Sequence, residues 1–242
     1  MRLLFTLYCL ILMHSAQAQD HLTLYLLPGQ GSDHRIFSHL QFPEYVDTVH
    51  LHFIMPEENE DMTSYAKRMS AFIDTTQRFA IAGVSLGGMV ATEMTRFIHP
   101  EMVILLSSAS SSEEIPEDYA RYREHPVYKW IPSGLFKYST FVLQPLYEPD
   151  RKLERSTCNA MIADKSALFM KRAVHLIVSW NRTEADNTNI RIYQIHGTAD
   201  HTLPAAQIKA DTLILNGSHM MTLTKPGDVS DAIQNALSTL QM

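Results

Sequence analysis

Phe79-Ala80-Ile81-Ala82-Gly83-Val84-Ser85-Leu86-Gly87-Gly88-Met89-Val90-Ala91-Thr92-Glu93-Met94 is the stretch on which the reading of this chain turns. Its first six residues form a short apolar run, as a buried strand does, and the residues from Gly87 open a helix that must end before Pro100. Between the two lies Gly83-Val84-Ser85-Leu86-Gly87, a Gly-x-Ser-x-Gly pattern at a strand-to-helix junction. A sharp turn there lifts the serine hydroxyl clear of the sheet, and only small residues two before and two after it let the two backbones approach. The competing reading is a glycine-rich turn whose serine merely caps the helix.

Working outward, His21 to Leu27 is an apolar run ending in Pro28-Gly29-Gln30-Gly31, which predicts a buried strand running into a tight turn. Val46 to Met55 predicts a second strand, stopped by Pro56, and Thr63 to Ile73 has apolar residues at helical spacing. Met102 to Leu106 is the next buried strand. From Ser107 to about Asn189 the rhythm breaks into serine-, proline- and aromatic-rich sequence, with helical spacing resuming at Leu168 to Trp180. Strand patterns return at Ile190 to His196 and Asp211 to Leu215, before a closing helix from Val229 to Leu240. Strands alternating with helices predict an α/β fold with a mostly parallel sheet covered on both faces. The middle reads as an insertion, and no internal repeat is present.

A serine hydroxyl becomes a nucleophile only when a base takes its proton and an oriented acid steadies the cation that forms. Both types follow in order. Asp200 lies in the loop after the strand that ends near His196, and His219 lies in the loop after the last strand, so neighbouring strand ends bring them within reach. His34, His196 and His201 compete for the base, and Asp186 and Asp164 are weaker substitutes for the acid. Asp200 also reads as a plain turn carboxylate. A zinc site built on His196, Asp200 and His201 is disfavoured, because the helical two-histidine motif and paired cysteines are missing from the sequence. Acyl transfer further needs two backbone N–H groups aimed at the developing oxyanion, and Leu86 and Gln30 are the candidates. The alternative for Gln30 is an ordinary glycine-rich strand exit.

Over 242 residues the chain is 45% apolar and 19% charged, ordinary globular composition and long enough to bury one large core or two small ones. A formal charge of −6 leaves no basic excess to neutralise phosphates, which argues against nucleic acid as a partner. Arg2, the apolar run Leu3 to Met13 and then Ala16-Gln17-Ala18 form a signal-peptide pattern with expected cleavage after Ala18. That run is too short to span a bilayer, so no stable membrane span is expected once it is removed. Cys9 lacks the small residues that precede a lipidated cysteine and leaves with the signal; Cys158, then alone, reads as a small buried hydrophobe.

The Gly83-Val84-Ser85-Leu86-Gly87-Gly88 turn, the Gly197-Thr198-Ala199-Asp200 loop with Pro204 behind it, and the Gly217-Ser218-His219 loop together resemble the serine α/β-hydrolase superfamily. The resemblance covers residues 22 to 106 and 190 to 240 and is weak between 107 and 189, where such proteins carry a variable cap. It implies an α/β-hydrolase fold with a core of about 20–110 and 188–242 and a helical cap of about 111–187, all within one domain, 19–242. It further implies Ser85 as nucleophile, Asp200 as acid and His219 as base, with no cofactor and no metal. Two departures stand out: Pro28 where many members have His, and a short span from Asp200 to His219 that implies a trimmed helix near Pro204 to Lys209. A serine at the turn argues against epoxide opening and dehalogenation, which use Asp. What is expected is an exported serine esterase, periplasmic or secreted, acting on a small apolar ester. The alternatives are a C–C bond hydrolase or perhydrolase with the same triad, or a non-catalytic binder on the same fold. The cap aromatics Tyr119, Tyr122, Tyr128, Trp130, Phe136, Tyr138, Phe141 and Tyr147 read either as pocket lining or as the cap's own core.

Overall fold

Strand β3 (Phe79–Val84) is buried along its whole length, and its side chains alternate between two cores. Phe79 and Ile81 join one apolar cluster while Ala80, Ala82 and Val84 join the other. The same alternation holds in β1 (Leu22–Leu27), with Leu22, Leu24 and Leu26 on one face and Tyr25 and Leu27 on the other, and in β4 (Met102–Leu106). A strand covered on both faces has no polar side, which is why these runs read as continuously apolar. The computed structural model describes residues 21–186 and 189–241, so the expected signal peptide lies outside the described residues.

With β2 (Val46–His50), β5 (Arg191–Gly197) and β6 (Thr212–Ile214), the strands form one parallel sheet in the order β2-β1-β3-β4-β5-β6. Helices α1 (Met62–Ser70) and α2 (Leu86–Met94) follow in chain order. Among the described residues four α-helices separate β4 from β5: α3 (Glu117–Glu124), α4 (Ser133–Tyr147), α5 (Arg155–Asp164) and α6 (Ala167–Ser179). The short α7 (Met221–Thr224) and the closing α8 (Pro226–Ser238) complete the chain. Among the described residues no helix is long and apolar enough to cross a membrane.

The second strand is shorter than its sequence predicts, because β2 is an edge strand that pairs only with β1. The ladder closes with Leu51 N–H donating to the Leu26 carbonyl, and β1 then turns away at Pro28, leaving residues beyond 51 nothing to pair with. Between Pro204 and Lys209 the chain makes only a 3₁₀ turn, Ala205–Gln207. The cap aromatics divide. Phe136, Phe141 and Tyr119 pack against the core that includes Phe169 and Met170, whereas Trp130 is 83% exposed and Tyr138 65% exposed. Trp130 and Tyr138 therefore line no enclosed pocket.

All parallel strands end at the same edge, where the loops after β1, β3, β5 and β6 gather. The turn after β3 depends on contact between bare backbones. A Cβ on Gly83 would lie 2.3 Å from the Gly87 carbonyl carbon, and a Cβ on Gly87 would lie 2.3 Å from the Leu27 carbonyl oxygen. Neither neighbour can yield without moving the helix or the sheet backbone. Gly87→Ala should therefore cost about 2 kcal/mol or more of unfolding free energy in urea. Gly227→Ala, at a position with open space in α8, should be neutral or slightly stabilising in the same measurement.

Candidate active site

Ser85 sits between β3 and α2 at φ 51°, ψ −120°, a strained conformation for a residue with a side chain. Its backbone is clamped from β4: Ser85 N–H donates to the Leu106 carbonyl at 3.1 Å, and Ser108 Oγ donates to the Ser85 carbonyl at 2.6 Å. The Ser85 side chain makes no capping hydrogen bond to its own helix, so the structural-cap reading of this serine fails. Leu86 heads α2, where the first N–H groups have no acceptor within the helix.

Asp200 and His219 come from the loops that follow the adjacent strands β5 and β6. Those loops are stitched together by Ala199 N–H donating to the Gly217 carbonyl at 2.8 Å and Thr198 N–H donating to the Ile214 carbonyl at 3.0 Å. His219 Nδ1 then lies 2.8 Å from Asp200 Oδ2, with both side chains buried. The other oxygen of Asp200 accepts Thr202 N–H at 2.9 Å and Leu203 N–H at 2.8 Å. Burial alone would push the Asp200 carboxyl up, but the His219 charge beside it and the hydrogen bonds it accepts outweigh that and hold it below the usual carboxylate range. Burial likewise works against the His219 cation, and the charge of Asp200, its hydrogen bond and the charge of Glu148 overcome it, so His219 sits above the ordinary histidine value. An ionised Asp200 can only accept, which puts a proton on His219 Nδ1 and leaves Nε2 as the basic atom.

The loop after β1 passes over Ser85. A Cβ on Gly29 would lie 3.5 Å from Ser85 Cβ. Here the loop closes on itself through Ser32, whose Oγ accepts Gly29 N–H at 2.8 Å and whose N–H donates to the Gly29 carbonyl at 3.2 Å. Gln30 reaches further, its Nε2 donating to the Met170 carbonyl of α6 at 2.6 Å.

The competing candidates are occupied elsewhere. Asp164 pairs with Arg35 at 2.6 Å, and Asp186 accepts from Thr183 N–H and Oγ1. His34 is exposed beside Asp33. His196 is fully buried, with Nε2 2.8 Å from the Leu203 carbonyl and 3.3 Å from Asp200 Oδ2. Burial holds it below the ordinary histidine value despite the pull of Asp200, so it is neutral and donates from Nε2. Among the described residues no group of three or more His, Cys, Asp or Glu side chains is placed to hold a metal ion. Cys158 is buried and free.

One participant escaped the sequence reading. Glu148, just beyond α4, is fully buried and accepts from the backbone N–H groups of both loops, including that of His219. Nothing in the sequence Tyr147-Glu148-Pro149-Asp150 marks that carboxylate as one that will be buried.

The model of the alpha/beta hydrolase family matches residues 5–232. Among solved structures, MenH from S. aureus superposes with a TM-score of 0.70 at 15% identity, covering 94% of this chain and 97% of its own. A thermophilic esterase from Thermogutta terrifontis gives 0.64 at 15% identity, with 92% of each chain covered. The enol-lactonase from Burkholderia xenovorans LB400 gives 0.66 at 13% identity, covering 92% of this chain and 93% of that one. At such identities the likeness establishes the fold. No curated protein matches the chain by sequence.

The electrostatics of the buried pair can be measured directly. In an NMR titration the His219 ring should protonate at a pH above the ordinary value of about 6.5. Asp200→Asn should bring that transition down, because desolvation then acts unopposed by the nearest anion.

Proposed function

The chain belongs to the alpha/beta hydrolase family, and from that premise we propose that it is a serine hydrolase that cleaves carboxylic esters of small apolar substrates. The observation that carries this reading is the buried Asp200–His219 pair, 2.8 Å apart, on loops at the same edge of the sheet as a strained serine whose hydroxyl does not cap its own helix.

In this mechanism His219 Nε2 takes the Ser85 Oγ proton as Oγ attacks the ester carbonyl carbon. The negative charge that develops on the carbonyl oxygen is held by the Leu86 and Gln30 backbone N–H groups. Collapse of the tetrahedral intermediate expels the alcohol, which leaves with the proton from His219. A water then gives its proton to His219 and attacks the acyl-enzyme, releasing the carboxylic acid and returning the proton to Ser85. Asp200 stays ionised throughout, fixing the His219 tautomer and stabilising the imidazolium. The helices between β4 and β5 act as the cap over the acyl site, with Phe136 and Phe141 on its inner side.

The mature protein is proposed to be exported, to a periplasm or the medium, on the strength of its N-terminal sequence. N-terminal sequencing of protein recovered outside the cytoplasm should then begin at Gln19, and a chain that starts at Met1 there would contradict cleavage.

Ser85→Ala should lower turnover of p-nitrophenyl acetate and butyrate about 10³-fold or more while leaving the far-UV circular dichroism and melting temperature close to wild type. A fluorophosphonate probe should label Ser85 of the wild type, as mapped by mass spectrometry. Well-folded protein that takes no label and turns over no ester would favour the binding-protein alternative. Hydrolysis should also lose activity with falling pH as His219 protonates, an acid limb displaced upward from the ordinary histidine value.

A further inference from the structure

Glu148 is a buried carboxylate that the ester mechanism above does not use. Its side chain has 0% exposure, a state in which a charge persists only when its oxygens are fully engaged. They are. Oε1 accepts His201 N–H at 3.2 Å, Thr202 N–H at 3.0 Å and Thr202 Oγ1–H at 2.8 Å, and Oε2 accepts His219 N–H at 3.1 Å. One oxygen thus grips the Asp200 loop and the other grips the backbone of His219. Thr202 N–H is shared, since it also points to Asp200 Oδ1 at 2.9 Å, so the two carboxylates are coupled through a single donor.

We propose that Glu148 is a positioning residue that sets the Asp200 and His219 loops in register from the segment between β4 and β5, and adds a second buried anion beside His219. The inference rests on the serine-hydrolase reading and deepens it. During acylation and deacylation the His219 ring becomes cationic, and a fixed anion in a dry site stabilises that charge without reorganising. The charged groups that act on His219 are Asp200 from the loop after β5 and Glu148; His196, at the end of β5, lies against Asp200 and within electrostatic reach of His219, and His201 meets Glu148 through its backbone N–H. Of these, His196 is held neutral by burial, so Asp200 and Glu148 are the charges that favour the cation.

Glutamine is the discriminating replacement. It keeps the shape and one acceptor, but its NH₂ can only donate, so it must face at least one backbone N–H that now has no partner. Glu148→Gln should lower kcat about tenfold or more with KM little changed. It should also move the acid limb of kcat/KM to lower pH: an anion that favoured the His219 cation is gone, so the neutral base survives to lower pH. A residue that only braced the fold would change stability and the active fraction and leave the limb where it was. Glu148→Asp keeps the charge but draws it back by one methylene. It should hold the limb near the wild-type position while kcat, counted per site that takes the fluorophosphonate label and so free of any loss of active fraction, still falls; that fall per labelled site decides the matter if Glu148→Gln does not fold.

The experiment is a pH profile of p-nitrophenyl butyrate hydrolysis for wild type and both variants, with fluorophosphonate labelling of each. A folded Glu148→Gln protein, or failing that Glu148→Asp, with wild-type kcat would overturn the proposal, as would a glutamine variant whose acid limb does not move. Wild-type protein that neither labels at Ser85 nor turns over ester would instead overturn the hydrolase reading on which the proposal rests, so the two failures are distinct.

Discussion

Where α2 leaves β3, three stretches of backbone meet with no side chain between them: the end of β3 at Gly83, the first turn of α2 at Gly87, and the exit of β1 at Leu27. This contact fixes where Ser85 stands, because the turn can be that sharp only if the helix starts directly against the sheet. It also fixes the loop after β1, which must cross over Ser85 as soon as it leaves the strand. The positive φ of Ser85 is held by the same closure, with the β4 end gripping its backbone through Leu106 and Ser108. Local strain of this kind persists only when the surroundings over-determine it, and here three neighbouring strands do so.

The other half of the site follows a different logic, electrostatic where the first is steric. Asp200, His219, His196 and Glu148 are all buried, and each anion is paired to N–H groups on loops that follow neighbouring strands. Burial works against both charges of the Asp200–His219 pair, and the pair survives because each charge is the largest stabilising influence on the other. Such an arrangement is costly if one member is removed, which keeps the imidazole from relaxing into another orientation.

The alternation of strand and helix, the Gly-x-Ser-x-Gly junction and the order Ser85, Asp200, His219 were legible because each is written locally, as a period or a spacing. The strand at 46–50 was overestimated because its end is set by a partner, not by its own residues: β1 stops first. The aromatics between β4 and β5 were ambiguous for a related reason, since sequence cannot tell which of Trp130, Tyr138, Phe136 and Phe141 faces inward until the helices are packed. Glu148 was invisible. Its hydrogen-bond partners lie 53 to 71 positions away, on loops whose own reading gives no hint that they share a carboxylate.

The loop after β1 is moored twice to the helices between β4 and β5, by Gln30 on the Met170 carbonyl and by Arg35 bridging Asp33 to Asp164. With Glu148 holding the loops after β5 and β6, that helical segment touches the loops that follow three of the strands at this edge of the sheet. The segment between β4 and β5 is therefore not an interchangeable module. Transplanting it from a relative would also remove the moorings that hold the core's own loops, so the least regular part of the chain and its most regular part are bound to change together as sequences diverge.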